Sequence, residues 1–264
     1  MAADGPAPRG SAQPLEPEAG TPAPPGPVER PARRGRPSGA GVRFDDAQPV
    51  TVILVRHGET EMTVSRGYSG SSEPGPSLTE RGRAQAAAAG ELVRRVGDDL
   101  WGDVPYPTEL IASPMVRTQE TAAIIGARLG LTPRVDAAFQ EADFGAWQGL
   151  TAEEIEQRWP GQLEPWHTRA DLRPEGGESI ADVGERIGAA LDGLLAAGTD
   201  RTVVVVSHAV SIRAALGRTM GAQPGSWSQL RVAPASVSIV RLFADKRDEV
   251  AVAGAPSEGW PARG

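Results

Sequence analysis

The stretch Thr51-Val52-Ile53-Leu54-Val55-Arg56-His57-Gly58-Glu59-Thr60 decides how the rest of the chain is read. Its apolar run stops at Arg56-His57-Gly58, the pattern of a buried strand emptying into a loop. A second run, Thr202-Val203-Val204-Val205-Val206, stops in the same way at Ser207-His208-Ala209. A run apolar on both faces suits a central strand covered by helices. Of the three histidines in the chain, two follow these runs. In an open α/β sheet, ligands bind outside the carboxyl ends of the strands. Chemistry is therefore expected where His57 and His208 meet.

Between and beyond the two runs, helical and strand patterns alternate. Strands are expected over 50–55, 109–112, 202–206, 230–232 and 236–243. Ser77-Leu78-Thr79-Glu80 is a helix entry, with Gln85, Ala86, Leu92 and Val93 continuing one face. Helices are also expected over 115–129, 151–159, 179–197 and from His208 to about Thr219. In the fourth of these five, Ile180, Val183, Ile187, Leu191 and Leu194 recur at spacings of three and four. The whole predicts an α/β three-layer sandwich, with a mostly parallel central sheet and helices on both faces.

Composition sets the outer limits. Residues 1–48 hold ten prolines and almost no large apolar side chains. Such a segment cannot bury enough surface to offset its ordering entropy, so it reads as a disordered tail. Residues 49–245 read as one domain and 246–264 as a flexible C-terminal tail. Cysteine is absent, which excludes disulfides, thiolate metal sites and a cysteine nucleophile. Lys246 is the only lysine among 27 basic residues, so arginine carries the positive charge. The cluster Arg30-Pro31-Ala32-Arg33-Arg34-Gly35-Arg36 reads as solvated linker. A net charge of −7 argues against general nucleic-acid binding. No run of 18 apolar residues and no secretory h-region is present, so no membrane partner and a cytoplasmic location are expected.

Polar residues gather where the strands should end: Arg56 and His57, then Ser113 to Arg117, then His208. Two arginines and two histidines at one sheet edge suit a phosphate or similar oxyanion, which guanidinium groups grip bidentately. The chain resembles the histidine phosphatase superfamily, in its phosphoglycerate mutase-like branch. The matching blocks are Arg56-His57-Gly58-Glu59-Thr60, Leu78-Thr79-Glu80-Arg81-Gly82, Ser113-Pro114-Met115-Val116-Arg117-Thr118, Glu141-Ala142-Asp143-Phe144-Gly145, Gly176-Gly177-Glu178-Ser179 and Val206-Ser207-His208-Ala209. They stand in the family's order and cover about 50–243. The chain is also similar to the phosphatase half of actinobacterial proteins that join such a domain to a ribonuclease H domain.

The resemblance implies roles. His57 would be the nucleophile, with its second ring nitrogen held by a loop carbonyl. Arg56, Arg117 and His208 would bind phosphoryl oxygens, and Glu141 would be the acid and base. Thr63 stands where many relatives carry asparagine, and its hydroxyl would touch the phosphate. Ser69 and Gly70 match a loop beside the phosphate. Ala209 replaces a glycine but keeps its backbone N–H. No cofactor or metal is implied. Asp143, Glu153 and Glu154 are alternative carboxylates. His167 reads as an exposed loop histidine in a cap, with Trp147 and Trp159 packed beneath it.

The function implied is a metal-independent phosphomonoesterase acting on a small phosphorylated metabolite through a phosphohistidine. A cofactor-dependent phosphoglycerate mutase is the alternative; the short stretch between Arg117 and His208 favours the phosphatase. A phosphate-sensing or scaffolding domain is a second alternative, opposed by the intact polar set. Substrate identity and oligomeric state carry no readable signal.

Overall fold

The computed structural model describes residue 1 and residues 47–259. The expected tail over 1–48 falls almost wholly outside the described residues, as does the chain from 260 onward. Among the described residues, six strands form one sheet in the order β3-β2-β4-β1-β5-β6. The strands are β1 (Val50–Arg56), β2 (Pro107–Ala112), β3 (Arg134–Val135), β4 (Arg201–Ser207), β5 (Val237–Leu242) and β6 (Glu249–Ala255). β1, β2, β3 and β4 run parallel, and β5 and β6 add two antiparallel pairings.

Side-chain alternation along the strands builds two cores. Val50, Val52 and Leu54 of β1, with Val203 and Val205 of β4, pack against α6 (Ile180–Ala196) and α7 (Ala209–Thr219). Ile53 and Val55, with Val204 and Val206, face α2 (Glu80–Arg94) and α3 (Val116–Leu129). All four valines of β4 are fully buried, each contributing roughly 1.5–3 kcal/mol relative to exposure. This is the predicted three-layer α/β sandwich. Helix starts follow side-chain chemistry: Thr79 accepts from the Gly82 N–H at α2, and Ser179 with Asp182 closes a capping box at α6.

Two expectations fail for identifiable reasons. Residues 230–232 form no strand, because their carbonyls are committed elsewhere: Leu230 accepts from Arg213 and Val232 from Arg56. The expected tail after Asp245 instead yields β6, hydrogen-bonded to β5. A register shift between Ile239 and Val240 sets Val252 opposite Ile239 and Val250 opposite Val240, so the two valines join different cores. That bulge breaks the period of two on which sequence reading depends. Three further helices are α1 (Glu61–Ser65), α4 (Ala152–Arg158) and α5 (Leu163–Thr168).

Candidate active site

The strand register sets Arg56 beside Ser207 and Ala112 beside Val206, so the loops after β1, β4 and β2 leave the sheet together. His57 is pinned on both sides of its backbone, donating to the Ser207 carbonyl at 3.0 Å and accepting from Ala235 at 3.1 Å. The next residue lacks room for a side chain: a Cβ on Gly58 would collide with the Gly82 carbonyl at the start of α2.

The imidazole of His57 is 5 % exposed. Its Nδ1 lies 2.7 Å from the Gly58 carbonyl. A carbonyl only accepts, so Nδ1 carries the hydrogen and Nε2 keeps its lone pair. Burial, followed by the charges of Arg56 and Arg117, holds the His57 pKa well below 6.5. The ring is therefore neutral at physiological pH. The His208 ring centroid is 5.2 Å from that of His57. His208 is fully buried, and desolvation together with Arg117, His57 and Arg56 keeps its pKa well below 6.5 as well. Its Nε2 lies 2.7 Å from Ser113 Oγ. With the hydroxyl donating, Nδ1–H remains a buried donor.

Arg117, in the first turn of α3, is 1 % exposed. Its Nη2 donates to the carbonyls of Ser69 (2.9 Å) and Gly70 (3.2 Å). Arg56 is half-buried and donates through Nη1 to the Val232 carbonyl at 2.8 Å. Desolvation lowers both arginines to about 10, partly offset by Glu141, so both stay charged. Glu141 is 6 % exposed and accepts from the backbone N–H groups of Ala142 and Val210.

Among the described residues, Arg56 Nε, Arg117 Nε and Nη1, His208 Nδ1 and Ser69 Oγ are buried polar atoms with no partner. Folded proteins leave few such atoms unsatisfied. A cluster that is mostly cationic or donor, set around a neutral imidazole, is built to receive an oxyanion. The adjoining cavity, of about 340 Å³, is lined by Arg56, His57 and Glu141, and also by Thr63, Ser69 and Ala209. Arg117 and His208 sit behind that lining.

The remaining predicted residues divide. Thr63 is at the cavity, but its hydroxyl already accepts from the Thr60 N–H in the capping box of α1. Gly70 is not on the lining; its carbonyl holds Arg117 and its N–H donates to Gln148 at 2.8 Å. Ala209 opens α7, where helix geometry presents N–H groups to anions. Asp143 accepts from Gly145 N–H, and Glu154 caps α4, so local backbone work occupies both.

Sequence reasoning missed several residues that shape the site. His167 is half-buried on α5 rather than exposed on a loop, and its Nε2 lies 3.4 Å from the Tyr68 hydroxyl. Both residues line the cavity, as does Arg213 of α7. Tyr68 packs edge-on against Phe144 at 4.9 Å, above buried Trp147 and Trp166; Trp159 is partly buried nearby. Arg186 ties Glu178 at 2.9 Å to the carbonyls of Ala138 and Gln140, bracing the loop that carries Glu141. Ser113 and Arg213 lay in or beside motif blocks, but only the fold shows what each touches.

Gly75 has φ +78°, and a Cβ there would press on the Arg117 guanidinium. Arg117 is pinned by two carbonyls and cannot swing away freely. Gly75→Ala is expected to lower kcat/KM for p-nitrophenyl phosphate by about 10- to 100-fold, with a stability loss of roughly 1–2 kcal/mol. Steady-state kinetics alongside thermal melting checks this; unchanged kcat/KM would show that Arg117 placement does not matter.

A parallel-stranded edge carrying a neutral histidine in a nest of arginines defines a phosphoryl-binding α/β protein. The sequence model described as "Histidine phosphatase superfamily (branch 1)" matches residues 52–253, and the chain belongs to that family. It is 36% identical over 203 residues to the bifunctional protein Rv2228c of Mycobacterium tuberculosis, covering 76% of this chain and 53% of that protein. The chain thus spans about half the length of that relative. It is 32% identical over 187 residues to the glucosyl-3-phosphoglycerate phosphatase of Mycobacterium tuberculosis, covering 68% of this chain and 79% of that protein. The native structure of a mycobacterial glucosyl-3-phosphoglycerate phosphatase superposes with a TM-score of 0.69 at 29% identity, covering 79% of this chain and all of that one. Among the described residues, no helix is long and apolar enough to cross a membrane, and no group of three or more carboxylates or histidines is placed to hold a metal ion.

Proposed function

We propose that this chain is a phosphomonoesterase that hydrolyses a small phosphorylated metabolite through a phosphohistidine at His57. The observation that carries the reading is the neutral His57 ring, with Nε2 free, surrounded by unpartnered buried donors. In the first step Nε2 attacks phosphorus and the bond to the leaving oxygen breaks. Glu141, as the carboxylic acid, gives that oxygen its proton. In the second step water attacks the phosphohistidine, Glu141 takes the water proton, and the P–N bond breaks to release phosphate. Arg56, Arg117 and His208 hold the phosphoryl oxygens through both displacements, and the two arginines supply the positive charge that a metal ion supplies elsewhere. The name of the phosphatase relative makes a phosphoglycerate ester the first compound to assay. A cytoplasmic site of action, a single catalytic domain from about 49 to 255, and a linker role for 1–48 accompany this reading.

Rapid-quench labelling with a ³²P-phosphomonoester tests it. The expected product is an acid-labile, alkali-stable phosphoprotein whose label passes to water. Its absence at every quench time would sink covalent catalysis. Transfer of the label to added 3-phosphoglycerate would establish the mutase instead.

A further inference from the structure

We infer that Gln85 is a positioning residue for the nucleophile: from α2 it holds the Gly58–Glu59 peptide, whose carbonyl keeps the hydrogen on His57 Nδ1. The inference rests on the phosphatase reading and adds to it a side chain that touches no reacting atom. The need arises at Gly58. The Gly82 carbonyl leaves no room for a Cβ there, so the residue after the nucleophile has to be glycine. Glycine has the widest backbone freedom of any residue. Yet the Gly58 carbonyl must stay 2.7 Å from His57 Nδ1 if it is to fix the tautomer. Two side chains remove the freedom. The Gly58 N–H donates to Thr121 Oγ1 at 3.1 Å, which anchors the peptide before it. The Glu59 N–H donates to Gln85 Oε1 at 2.9 Å, which anchors the peptide after it. That second peptide carries the Gly58 carbonyl, so Gln85 grips one end of the plane whose other end accepts from His57. Donation from the N–H also polarises the peptide and makes its carbonyl a stronger acceptor.

The placement of Gln85 supports the same role. The buried face of α2 includes Gly82, Gln85, Ala86, Ala89, Leu92 and Val93, and Gln85 brings the polar side chain among them. It is 6 % exposed, and an amide buried on an apolar face is costly unless it is hydrogen-bonded. The start of α2 is tied to the same residue. Thr79 N–H donates to the Glu59 carbonyl at 3.0 Å, and Thr79 Oγ1 donates to Glu59 Oε1 at 3.0 Å. The helix is thereby registered on Glu59, and Gln85 meets the Glu59 N–H from within it. Residues 78–85 supply no group to the cavity lining. Their contribution to the site is this hold on the nucleophile loop.

Nuclear magnetic resonance on the full chain, labelled with ¹⁵N at its three histidines, reads the tautomer directly. Wild-type His57 is expected to show Nε2 as the bare nitrogen and Nδ1 as the protonated one. The reverse would overturn the inference. Gln85→Met keeps the volume and removes the acceptor, and both His57 signals are expected to move toward the opposite tautomer. Partners that orient a metal-bound histidine from one bond away are worth about 10- to 100-fold, and kcat for p-nitrophenyl phosphate is expected to fall by that order. Inhibition by inorganic phosphate is expected to change by less than about threefold, because the arginines are untouched. Gln85→Glu restores an acceptor and is expected to regain most of the rate. A glutamine that served only packing would lower the melting temperature and leave kcat and the ring signals of the folded variant unchanged, which would overturn the inference. So would a loss of rate with unmoved ring signals, or a folded Gln85→Glu no better than Gln85→Met. If melting shows that Gln85→Met does not fold, Gln85→Asn, whose shorter amide cannot span to the Glu59 N–H, takes its place. A wild type that forms no phosphoprotein would count against the phosphatase reading, while the ring signals still decide the role of Gln85.

Discussion

His57→Ala is expected to lower kcat for p-nitrophenyl phosphate by roughly 10⁴-fold or more and to abolish the phosphoprotein. The chain offers no substitute nucleophile at this position. It has no cysteine, and the second histidine of the site has its Nε2 engaged by Ser113. The arginines would still bind the ester, so KM is expected to move far less than kcat. A histidine that served only as a packed, hydrogen-bonded core residue would give the opposite pattern, with a lower melting temperature and little change in rate. Activity above about one per cent of wild type in a folded variant would therefore refute the assignment. Wild-type pH dependence gives a second reading. Nucleophilic attack needs the neutral ring, and burial with two arginine charges keeps its pKa well below 6.5. Activity should therefore persist as pH falls below 6.5, and fail only where the ring takes up a proton.

What could be read from the sequence was set by local signals. β1 and β4 were legible because four-residue apolar runs end at a polar dipeptide, and parallel pairing then brings Arg56 and Ser207 side by side. Motif order picked out Arg117 and Glu141, although one lies in the first turn of α3 and the other in a loop. The rest depends on tertiary partners that leave no trace in a one-dimensional pattern. Arg213 looks like any arginine on a helix until the cavity is seen on one side of it and the Leu230 carbonyl on the other. The same carbonyl, with that of Val232, explains why Leu230-Arg231-Val232 forms no strand. His167 has a polar, Pro-containing neighbourhood that resembles a loop, yet α5 turns it toward Tyr68. Gly70 reads as a phosphate contact because of its position, whereas its carbonyl instead holds the arginine that would make that contact.

Glu141→Gln is expected to slow hydrolysis of an alkyl phosphate by about 10²–10⁴-fold while sparing the first step with p-nitrophenyl phosphate. The substitution keeps shape and leaves an amide oxygen to accept from the Val210 N–H, so packing and α7 should stay in place. What is lost is the ability to give and take a proton. An alkoxide is a poor leaving group and needs that proton as the P–O bond breaks. A nitrophenolate leaves as a stable anion and does not. With p-nitrophenyl phosphate, the deficit therefore shifts to the second step, where water must be deprotonated as it attacks phosphorus. The variant should release a burst of nitrophenol and accumulate phosphoprotein on His57, followed by slow turnover. Asp143 and Glu154 are poor stand-ins, since each already caps backbone N–H groups. Glu153 is exposed on α4 and is not on the cavity lining. An equal loss with both substrates and no burst would mean that the proton travels through another group, and that Glu141 only braces the start of α7.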